Sequence, residues 1–165
     1  MLIVLSGLPG TGKSTIAREL ARELRAVWLR IDSIEQGIRD SGVVVSDDLA
    51  DSGYRAAYAV AEDNLRLGHI VIADSVNPWM LTRDAWRDAG LRAGARVIEI
   101  ETICSDPQEH RRRVEERHVD VKGLALPDWQ AVMSRDYHPW TRGCLTIDTA
   151  RRGVAECVAI IQAAL

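Results

Sequence analysis

The first residues with a clear chemical meaning form a glycine-rich stretch near the start of the chain. Gly7-Leu8-Pro9-Gly10-Thr11-Gly12-Lys13-Ser14, followed by Thr15, fits the pattern G-x-x-x-x-G-K-[ST]. Glycines permit a tight turn whose backbone N–H groups point at phosphate oxygens, and a helix starting near Lys13 adds the positive end of its dipole. Lys13 is expected to reach the β- and γ-phosphates of a nucleotide, and the Ser14 hydroxyl to bind Mg²⁺. The pattern predicts a bound nucleotide but leaves its use open.

Two carboxylates follow apolar runs that read as strands. Asp32 comes directly after Val27–Ile31, and Asp74 after Ile70–Ala73. In a parallel sheet the carboxyl ends of the strands share an edge with the phosphate loop, so both carboxylates should face the γ-phosphate. Asp32 is then a candidate general base for a substrate hydroxyl, or only the N-cap of the next helix. Asp74 is a candidate for Mg²⁺ or substrate binding, or only a turn residue.

The residues around these carboxylates separate the classes of nucleotide-binding protein. The sequence has no D-x-x-G after a strand and no N-K-x-D motif, which disfavours a GTPase. Ser75 follows Asp74, so the Asp-Glu pair with which motors and AAA-type ATPases activate water is absent. A kinase must avoid activating water, because hydrolysis wastes ATP. This pattern favours a phosphotransferase, while a nucleotide-dependent binding protein or ATPase without an acceptor stays open.

A cluster of arginines supplies a candidate lid over the nucleotide. Asp106–Arg117 predicts a helix in which Arg113 and Arg117, four residues apart, share a face, and the polar and glycine residues that follow suggest mobility. Kinases close a lid that excludes water and brings arginine to the transferring phosphoryl group. We therefore predict a lid over about residues 111–126. Arg111 and Arg112 are better explained as a solvated face among glutamates.

Weaker candidates lie elsewhere. Thr149 and Arg151 follow the last strand, where loop backbone or a stacked guanidinium could contact the base. Asn77 follows Asp74 and could line the acceptor pocket. Four aromatic residues could form acceptor-site walls, although aromatics on helices more often belong to the core: Tyr54, Tyr58, Trp129 and Trp140.

The elements needed to position these groups can be read from the apolar pattern. Five short apolar segments alternate with helical stretches, which indicates a parallel sheet covered by helices on both faces. No repeat or linker interrupts residues 1–165, so one domain is expected. The strands are predicted at Leu2–Leu5, Val27–Ile31, Ile70–Ala73, Val97–Ile103 and Leu145–Asp148. The helices are predicted at Lys13–Arg25, Ser33–Arg39, Asp48–Leu67, Leu81–Ala93, Pro107 to about Arg117, Pro127 to about Tyr137 and Val154–Ala164, with a loop at Ser41–Asp47.

The amino-acid composition limits which binding partners and locations are expected for the protein. The 165 residues are 47% hydrophobic and 27% charged, with a net charge of −3, so no overall basic signature for nucleic acid exists. The sequence has no run of about 18 apolar residues and no signal-peptide core, which predicts a cytoplasmic protein without a membrane span. The three cysteines are expected to be reduced thiols.

These motifs together resemble the P-loop kinase superfamily, in the branch that holds the phage polynucleotide 5′-kinase domain, chloramphenicol phosphotransferase, zeta-toxin-like kinases and AAA-domain ATP-binding proteins. The resemblance rests on the phosphate loop, Arg30-x-Asp32, the segment from Asp74 to Asn77-Pro78, and the helix that carries Arg113 and Arg117. It implies a sheet of order 2-3-1-4-5, Asp32 as general base, acceptor contacts near Asp74 and Asn77, and Arg117 on the transferred phosphate. Ser33 stands where polynucleotide kinases often have a second Asp, which weakens the nucleic-acid alternative.

The resulting prediction is an ATP- and Mg²⁺-dependent phosphotransferase acting on an alcohol of a small molecule, with a polynucleotide 5′-hydroxyl kinase as the alternative. Catalytic roles fall to Lys13, Asp32, Arg113 and Arg117, and metal binding to Ser14 and Asp74. Substrate contacts fall to Asp32, Asp74 and Asn77. Nucleotide contacts fall to Gly7, Leu8, Pro9, Gly10, Thr11, Gly12, Lys13, Ser14, Thr15, Arg117, Thr149 and Arg151.

Overall fold

The sheet is five-stranded and entirely parallel, in the order β2-β3-β1-β4-β5. The structure is a computed structural model that describes residues 1–42, 49 and 51–165. The order confirms the one implied by the resemblance. The strands are β1 (Leu2–Ser6), β2 (Val27–Arg30), β3 (Val71–Asp74), β4 (Val97–Ile103) and β5 (Leu145–Asp148).

Strand register brings the predicted chemistry to one edge. Central β1 is buried along its whole length, and the phosphate loop leaves its carboxyl end. Leu5 lies opposite Asp74, and Asp74 lies opposite Arg30. The last residues of β2 and β3 therefore flank the start of the phosphate loop, as parallel pairing requires.

Helices cover both faces of the sheet, which confirms the three-layer prediction. One apolar cluster joins one face of the strands to α1 and α7, and a second joins the other face to α2, α3 and α4. No helix in the described ranges is long and apolar enough to cross a membrane. The helices are α1 (Lys13–Leu24), α2 (Ile31–Asp40), α3 (Ser52–Arg66), α4 (Met80–Arg92), α5 (Pro107–Glu115), α6 (Trp129–Met133) and α7 (Val154–Ala163).

Several element boundaries differ from the predictions. Strand β2 ends at Arg30, which is the N-cap of α2, so the alternative of Asp32 as an N-cap is wrong and Asp32 lies in the first turn. Helix α5 ends at Glu115, before Arg117. The loop predicted at 41–47 and the start of the helix predicted at 48–67 fall mainly outside the described residues.

Helix α6 is also shorter than predicted and stops at Met133 instead of about Tyr137. Beyond it, the chain is held by tertiary contacts: the guanidinium of Arg83 donates to the carbonyls of His138 and Pro139, and the His138 N–H donates to the Pro78 carbonyl. The His138 N–H therefore donates outside a helix, to the turn after β3.

Candidate active site

The phosphate loop joins β1 to α1, and its glycines are required by geometry. Gly7, Gly10 and Gly12 have φ values of 143°, 84° and 89°. A Cβ on Gly7 would collide with the carbonyl oxygen of Thr102, and one on Gly10 would lie 2.6 Å from Cγ2 of Val114. Gly7 and Gly10 therefore combine a positive φ with close packing from β4 and α5, whereas Gly12 is required by its φ alone.

Side chains from the ends of β4 and β5 hold the loop in shape. The Thr11 hydroxyl donates to the Leu8 carbonyl at 2.8 Å, and the Thr149 hydroxyl donates to the Thr11 carbonyl at 2.9 Å. The hydroxyls of Thr11 and Thr102 lie 3.0 Å apart. Thr102 was not predicted, because no local pattern links it to a loop about ninety residues earlier.

Helix α5 also touches the loop from below. His110 is buried, and its Nε2 lies 2.8 Å from the carbonyl oxygen of Pro9. The ring packs edge-on against Trp129, with centroids 5.1 Å apart. The helix that carries Arg113 is thus attached directly to the loop that must hold the phosphates.

Lys13 and Asp74 form a buried, oppositely charged pair beneath the loop. They are 8% and 2% exposed. Burial lowers the pKa of Lys13 and raises that of Asp74, and each charge opposes the shift of the other. Asp74 also accepts hydrogen bonds from the Ser14 hydroxyl at 3.1 Å and from the Trp28 indole at 3.3 Å.

The Ser14 and Asp74 side chains fit a magnesium ion. Mg²⁺ prefers oxygen ligands and is commonly held by one or two carboxylates, water and substrate phosphates. Here a hydroxyl and a carboxylate oxygen lie 3.1 Å apart beside the phosphate loop. The donor set and its position beside the loop fit the ion, while a contact between Asp74 and the substrate stays a prediction.

A charged cavity of about 290 Å³ lies over the loop. Arg30 and Asp120, which were not among the predicted site residues, pair across it with two hydrogen bonds of 2.7 and 2.9 Å. This hydrogen-bonded pair lowers the pKa of Asp120. The cavity is lined by Gly10, Gly12, Lys13, Ser14, Thr15, Arg30, Arg113, Arg117, His118 and Asp120.

The two predicted lid arginines take different positions. Arg113 donates to Glu109 at 2.7 Å and to the hydroxyl and carbonyl of Thr149 at 2.8 and 2.9 Å. Arg117 lies beyond the end of α5, with its guanidinium 3.9 Å from Asp32. The expectation that both share one helical face is therefore wrong: Arg113 is tied to the β5 side and Arg117 approaches the carboxylate side.

A smaller cavity of about 180 Å³ adjoins Arg113 on the β5 side. Thr149 lines it, where a nucleoside could extend from the phosphate loop. Arg151 is exposed, and it is its neighbour Arg152 that lines the cavity. Sequence alone could not choose between adjacent arginines in a loop. The lining residues are Gly12, Thr15, Ile16, Arg113, Thr149, Arg152, Val154 and Cys157.

A third cavity, of about 380 Å³, opens on the other side of Asp32. The Asp32 side chain is 39% exposed, 3.7 Å from Arg30 and 3.9 Å from Arg117, both of which line the phosphate cavity. Asp32 thus stands between the two cavities. The third cavity is lined by Ile31, Asp32, Glu35, Asp51, Tyr54, Val76, Pro78, Trp79, Thr82 and Arg135.

Of the aromatic residues predicted to form acceptor-site walls, one lines the third cavity and others pack against neighbouring side chains. Tyr54 lines the third cavity, and burial raises its pKa to about 12. Tyr58 packs edge-on against Trp86, while the ring of Trp140 lies 4.3 Å from the Arg83 guanidinium. Trp79, which belongs to the Asn77-Pro78-Trp79 segment expected near the acceptor pocket, also lines the cavity.

Asn77, whose contact with substrate stays a prediction, has an enclosed position in the turn after β3. Its side chain is fully buried, and Nδ2 donates to the Ser6 hydroxyl at 3.1 Å. Its backbone has a φ of 47°, and its carbonyl accepts from Arg83 at 2.9 Å. The neighbouring Val76 and Pro78 line the cavity. Asn77 fixes the turn after β3.

Comparison with known proteins agrees with this geometry. A family model described as an AAA domain matches residues 2–135. A shikimate kinase of Corynebacterium glutamicum is 31% identical over 128 residues, covering 68% of this chain and 76% of the relative. An adenylyl-sulfate kinase of Bacillus velezensis is 37% identical over 109 residues, covering 62% and 53%. Both of these relatives are named as small-molecule kinases.

Other relatives are longer. An uncharacterized protein of Mycobacterium tuberculosis is 33% identical over 112 residues, covering 61% of this chain but only 21% of the relative. A solved APS kinase of the same organism, in complex with AMPPNP and APS, has a TM-score of 0.70 at 20% identity and covers 98% of this chain and 95% of that one. At this identity the likeness shows a common fold.

Proposed function

The chain belongs to the AAA-domain family within the P-loop kinase superfamily, and from this premise we propose an ATP- and Mg²⁺-dependent phosphotransferase. It would move the γ-phosphoryl group of ATP to an alcohol group of a small molecule. The relationship to small-molecule kinases supports the class of reaction, whereas the nucleotide, the metal and the acceptor are our proposal.

The observation that carries the proposal is the position of Asp32. Its side chain is partly exposed and lies between the phosphate cavity and the third cavity, which is large enough for a small molecule. A general base must reach both the reacting hydroxyl and the space in front of the γ-phosphate. A binding protein or simple ATPase has no use for a carboxylate bordering a separate acceptor cavity.

In the proposed reaction, the loop N–H groups and Lys13 bind the phosphate oxygens and orient the γ-phosphoryl group. Asp32 accepts the proton of the acceptor hydroxyl while the oxygen of that hydroxyl forms a bond to the γ-phosphorus. The bond from that phosphorus to the bridging oxygen breaks, and ADP leaves with the electron pair. Arg117 and Arg30 offset charge on the transferring group. When bound by Ser14 and Asp74, Mg²⁺ supplies further charge neutralisation at the phosphates.

The predicted lid, over about residues 111–126, would exclude water. Asp120 reaches from it to the buried Arg30, so the segment lies across the phosphate cavity. Excluding water protects ATP from hydrolysis and strengthens the electrostatic contacts inside the site.

A polynucleotide acceptor is less well supported. Among the described residues, the lining of the proposed acceptor cavity has three carboxylates and one guanidinium, a balance that repels a polyanion. A short oligonucleotide with a free 5′-hydroxyl, offered with labelled ATP, tests this alternative directly.

The first prediction concerns Asp32→Asn. We expect transfer to fall by about 10²–10⁴-fold, because the amide cannot accept the proton, while binding of a non-hydrolysable ATP analogue is retained. The measurement is labelled-phosphate transfer to a panel of sugars, polyols, amino alcohols and hydroxy acids, with calorimetric binding of the analogue.

Asp63→Asn, at an exposed position on α3, is the matched control and should transfer at the wild-type rate. Wild-type transfer by Asp32→Asn would exclude Asp32 as the base. Nucleotide binding with slow hydrolysis and no labelled product from any acceptor would instead favour a nucleotide-dependent binding protein.

A further inference from the structure

The cavity next to Asp32 has an excess of negative charge. Of the described residues that line it, Asp32, Glu35 and Asp51 carry carboxylates and Arg135 carries a guanidinium. Two aromatic rings, from Tyr54 and Trp79, complete the wall, and Trp79 is half exposed. Carboxylates and aromatic faces both attract an ammonium group, and a cleft lined by one sign of charge concentrates the opposite sign.

Glu35 occupies a position that the neighbouring helix leaves open for it. Its stem lies against Gly53 in the first turn of α3, where a Cβ would collide with Cγ of Glu35. The glutamate side chain is 22% exposed, and burial raises its pKa against the opposing effect of Arg39. Among the described residues its ion pair is with Arg39 at 3.8 Å, too long for a hydrogen bond. The carboxylate oxygens of Glu35 can therefore accept hydrogen bonds from a donor group of a molecule bound in the cavity.

The other two carboxylates of the cavity, those of Asp51 and Asp32, already lie close to arginine side chains. Asp51 accepts from Arg55 at 2.7 Å. Asp32 lies near Arg30 and Arg117, which line the phosphate cavity and would bind phosphate oxygens there. Glu35 is thus the carboxylate best suited to bind a cationic group of the acceptor.

The spacing on α2 sets the size of that acceptor. Asp32 and Glu35 are three residues apart and so share a helical face, with Cβ atoms about 5–6 Å apart. A molecule that presents a hydroxyl to Asp32 and an ammonium to Glu35 needs only a few bonds between the two groups. A cavity of about 380 Å³ accommodates such a molecule.

We propose that the acceptor is a small amino alcohol or amino sugar whose protonated amine binds Glu35 while its hydroxyl faces Asp32. The inference rests on the proposed function and names the substrate class of the same site. The protonated amine donates hydrogen bonds to the Glu35 carboxylate and lies against the aromatic faces of the wall. Anionic acceptors are disfavoured because only Arg135 among the described lining residues offers a positive charge.

The test uses acceptors matched in skeleton and different in charge. Glucosamine, glucose and gluconate form one set, and 3-amino-1,2-propanediol, glycerol and glycerate form the other. Labelled-ATP transfer gives kcat/KM for each, and calorimetry with a non-hydrolysable ATP analogue gives binding without turnover. We expect the amine of at least one set to exceed its neutral counterpart by about tenfold in both measurements.

Single substitutions test whether the preference for amine acceptors depends on Glu35. Glu35→Gln should remove it, and Glu35→Lys should reverse it in favour of the anionic member. Gly53→Ala should weaken it by displacing Glu35, whereas Gly37→Ala is the control because a Cβ there meets open space on the same helix. Circular dichroism and nucleotide binding establish that each variant is folded.

The outcomes separate the two proposals. Transfer that prefers the neutral or anionic members, or an amine preference unchanged in Glu35→Gln, overturns the amine assignment and leaves the phosphotransferase intact. Nucleotide binding without transfer to any panel member, and without binding of any amine, overturns both. An amine preference abolished by Glu35→Gln and retained by Gly37→Ala supports the inference.

Discussion

At the scale of single residues, two aspartates beside one phosphate loop have different surroundings. Asp74 is enclosed and accepts hydrogen bonds from Ser14 and Trp28, which suits a permanent partner of Lys13 and a metal. Asp32 is partly open to a cavity. Sequence could place both at strand ends because an apolar run precedes each. It could not place Asp120 at the site, because its partner Arg30 is ninety residues away.

The second prediction concerns Gly7. Gly7→Ala should severely impair nucleotide binding, because φ is +143° and the new Cβ would collide with the backbone oxygen of Thr102, which cannot move aside. Gly94→Ala is the control, with a φ of +67° but open space around the Cβ. It should cost only about 1 kcal/mol of stability. Calorimetric binding of ATP and urea unfolding measure the two effects, and equal loss in both variants would contradict the steric argument.

At the scale of elements, local signals predicted where helices start better than where they end. Helix α5 begins as Asp106-Pro107 predicts, with the Asp106 carboxylate accepting from the N–H groups of Gln108 and Glu109 at 3.0 and 3.2 Å. The ends of α5 and α6 were misplaced, and the chain beyond each is bound by distant groups, as Arg83 binds residues 138 and 139 and Arg30 binds Asp120. Such contacts leave no trace in a local sequence window.

The segment after α5 gives the third prediction. Asp120→Asn should speed amide hydrogen exchange across about residues 116–126, because the charged, two-bond contact with buried Arg30 is lost. Exchange in β1 and α1 should be unchanged, since the Asp120 side chain is half exposed and its hydrogen bonds are to Arg30 of β2. Hydrogen exchange with mass spectrometry measures both regions.

The matched control for this prediction is Glu116→Gln, an exposed residue of the same segment that pairs with Arg112 at 2.6 Å. Exposed pairs contribute little to stability, so its exchange should follow the wild type. If Asp120→Asn exchanged no faster than this control, the contact with Arg30 would not be what holds the segment over the phosphate cavity.

At the scale of the whole molecule, the sheet was predictable because its strands are short and apolar and alternate with helices. That alternation requires parallel pairing and two buried faces, and both clusters exist. The strand order came from the resemblance and not from periodicity. The cavities could not be predicted, because each is assembled from several separate segments of the chain, as Asp32, Tyr54, Trp79 and Arg135 show.

The fourth prediction concerns the stability of the fold in acid. Carboxyl groups with a lowered pKa and carboxyl groups with a raised pKa change that stability in opposite directions as the pH falls. Hydrogen bonds from Arg30 lower the pKa of Asp120, and those from Ser105 lower the pKa of Asp148. Their stabilisation is present above the unfolded pKa of about 4 and is lost as pH falls toward the lower folded value. Burial raises the pKa of Asp74 and Glu35, so protonating them on acidification relieves a cost, and does so at higher pH.

We therefore expect the urea midpoint to change little from neutral pH to about pH 5 and then to fall below about pH 4. Asp148→Asn should be less stable than the wild type at neutral pH, and the difference should shrink in acid, because the hydrogen bonds that Ser105 donates to Asp148 are stronger while the carboxylate is ionised. Asp63→Asn, at an exposed position, should follow the wild-type curve at every pH. A difference between Asp148→Asn and the wild type that stayed constant down to about pH 2.5 would mean that the Asp148 charge contributes nothing to folding.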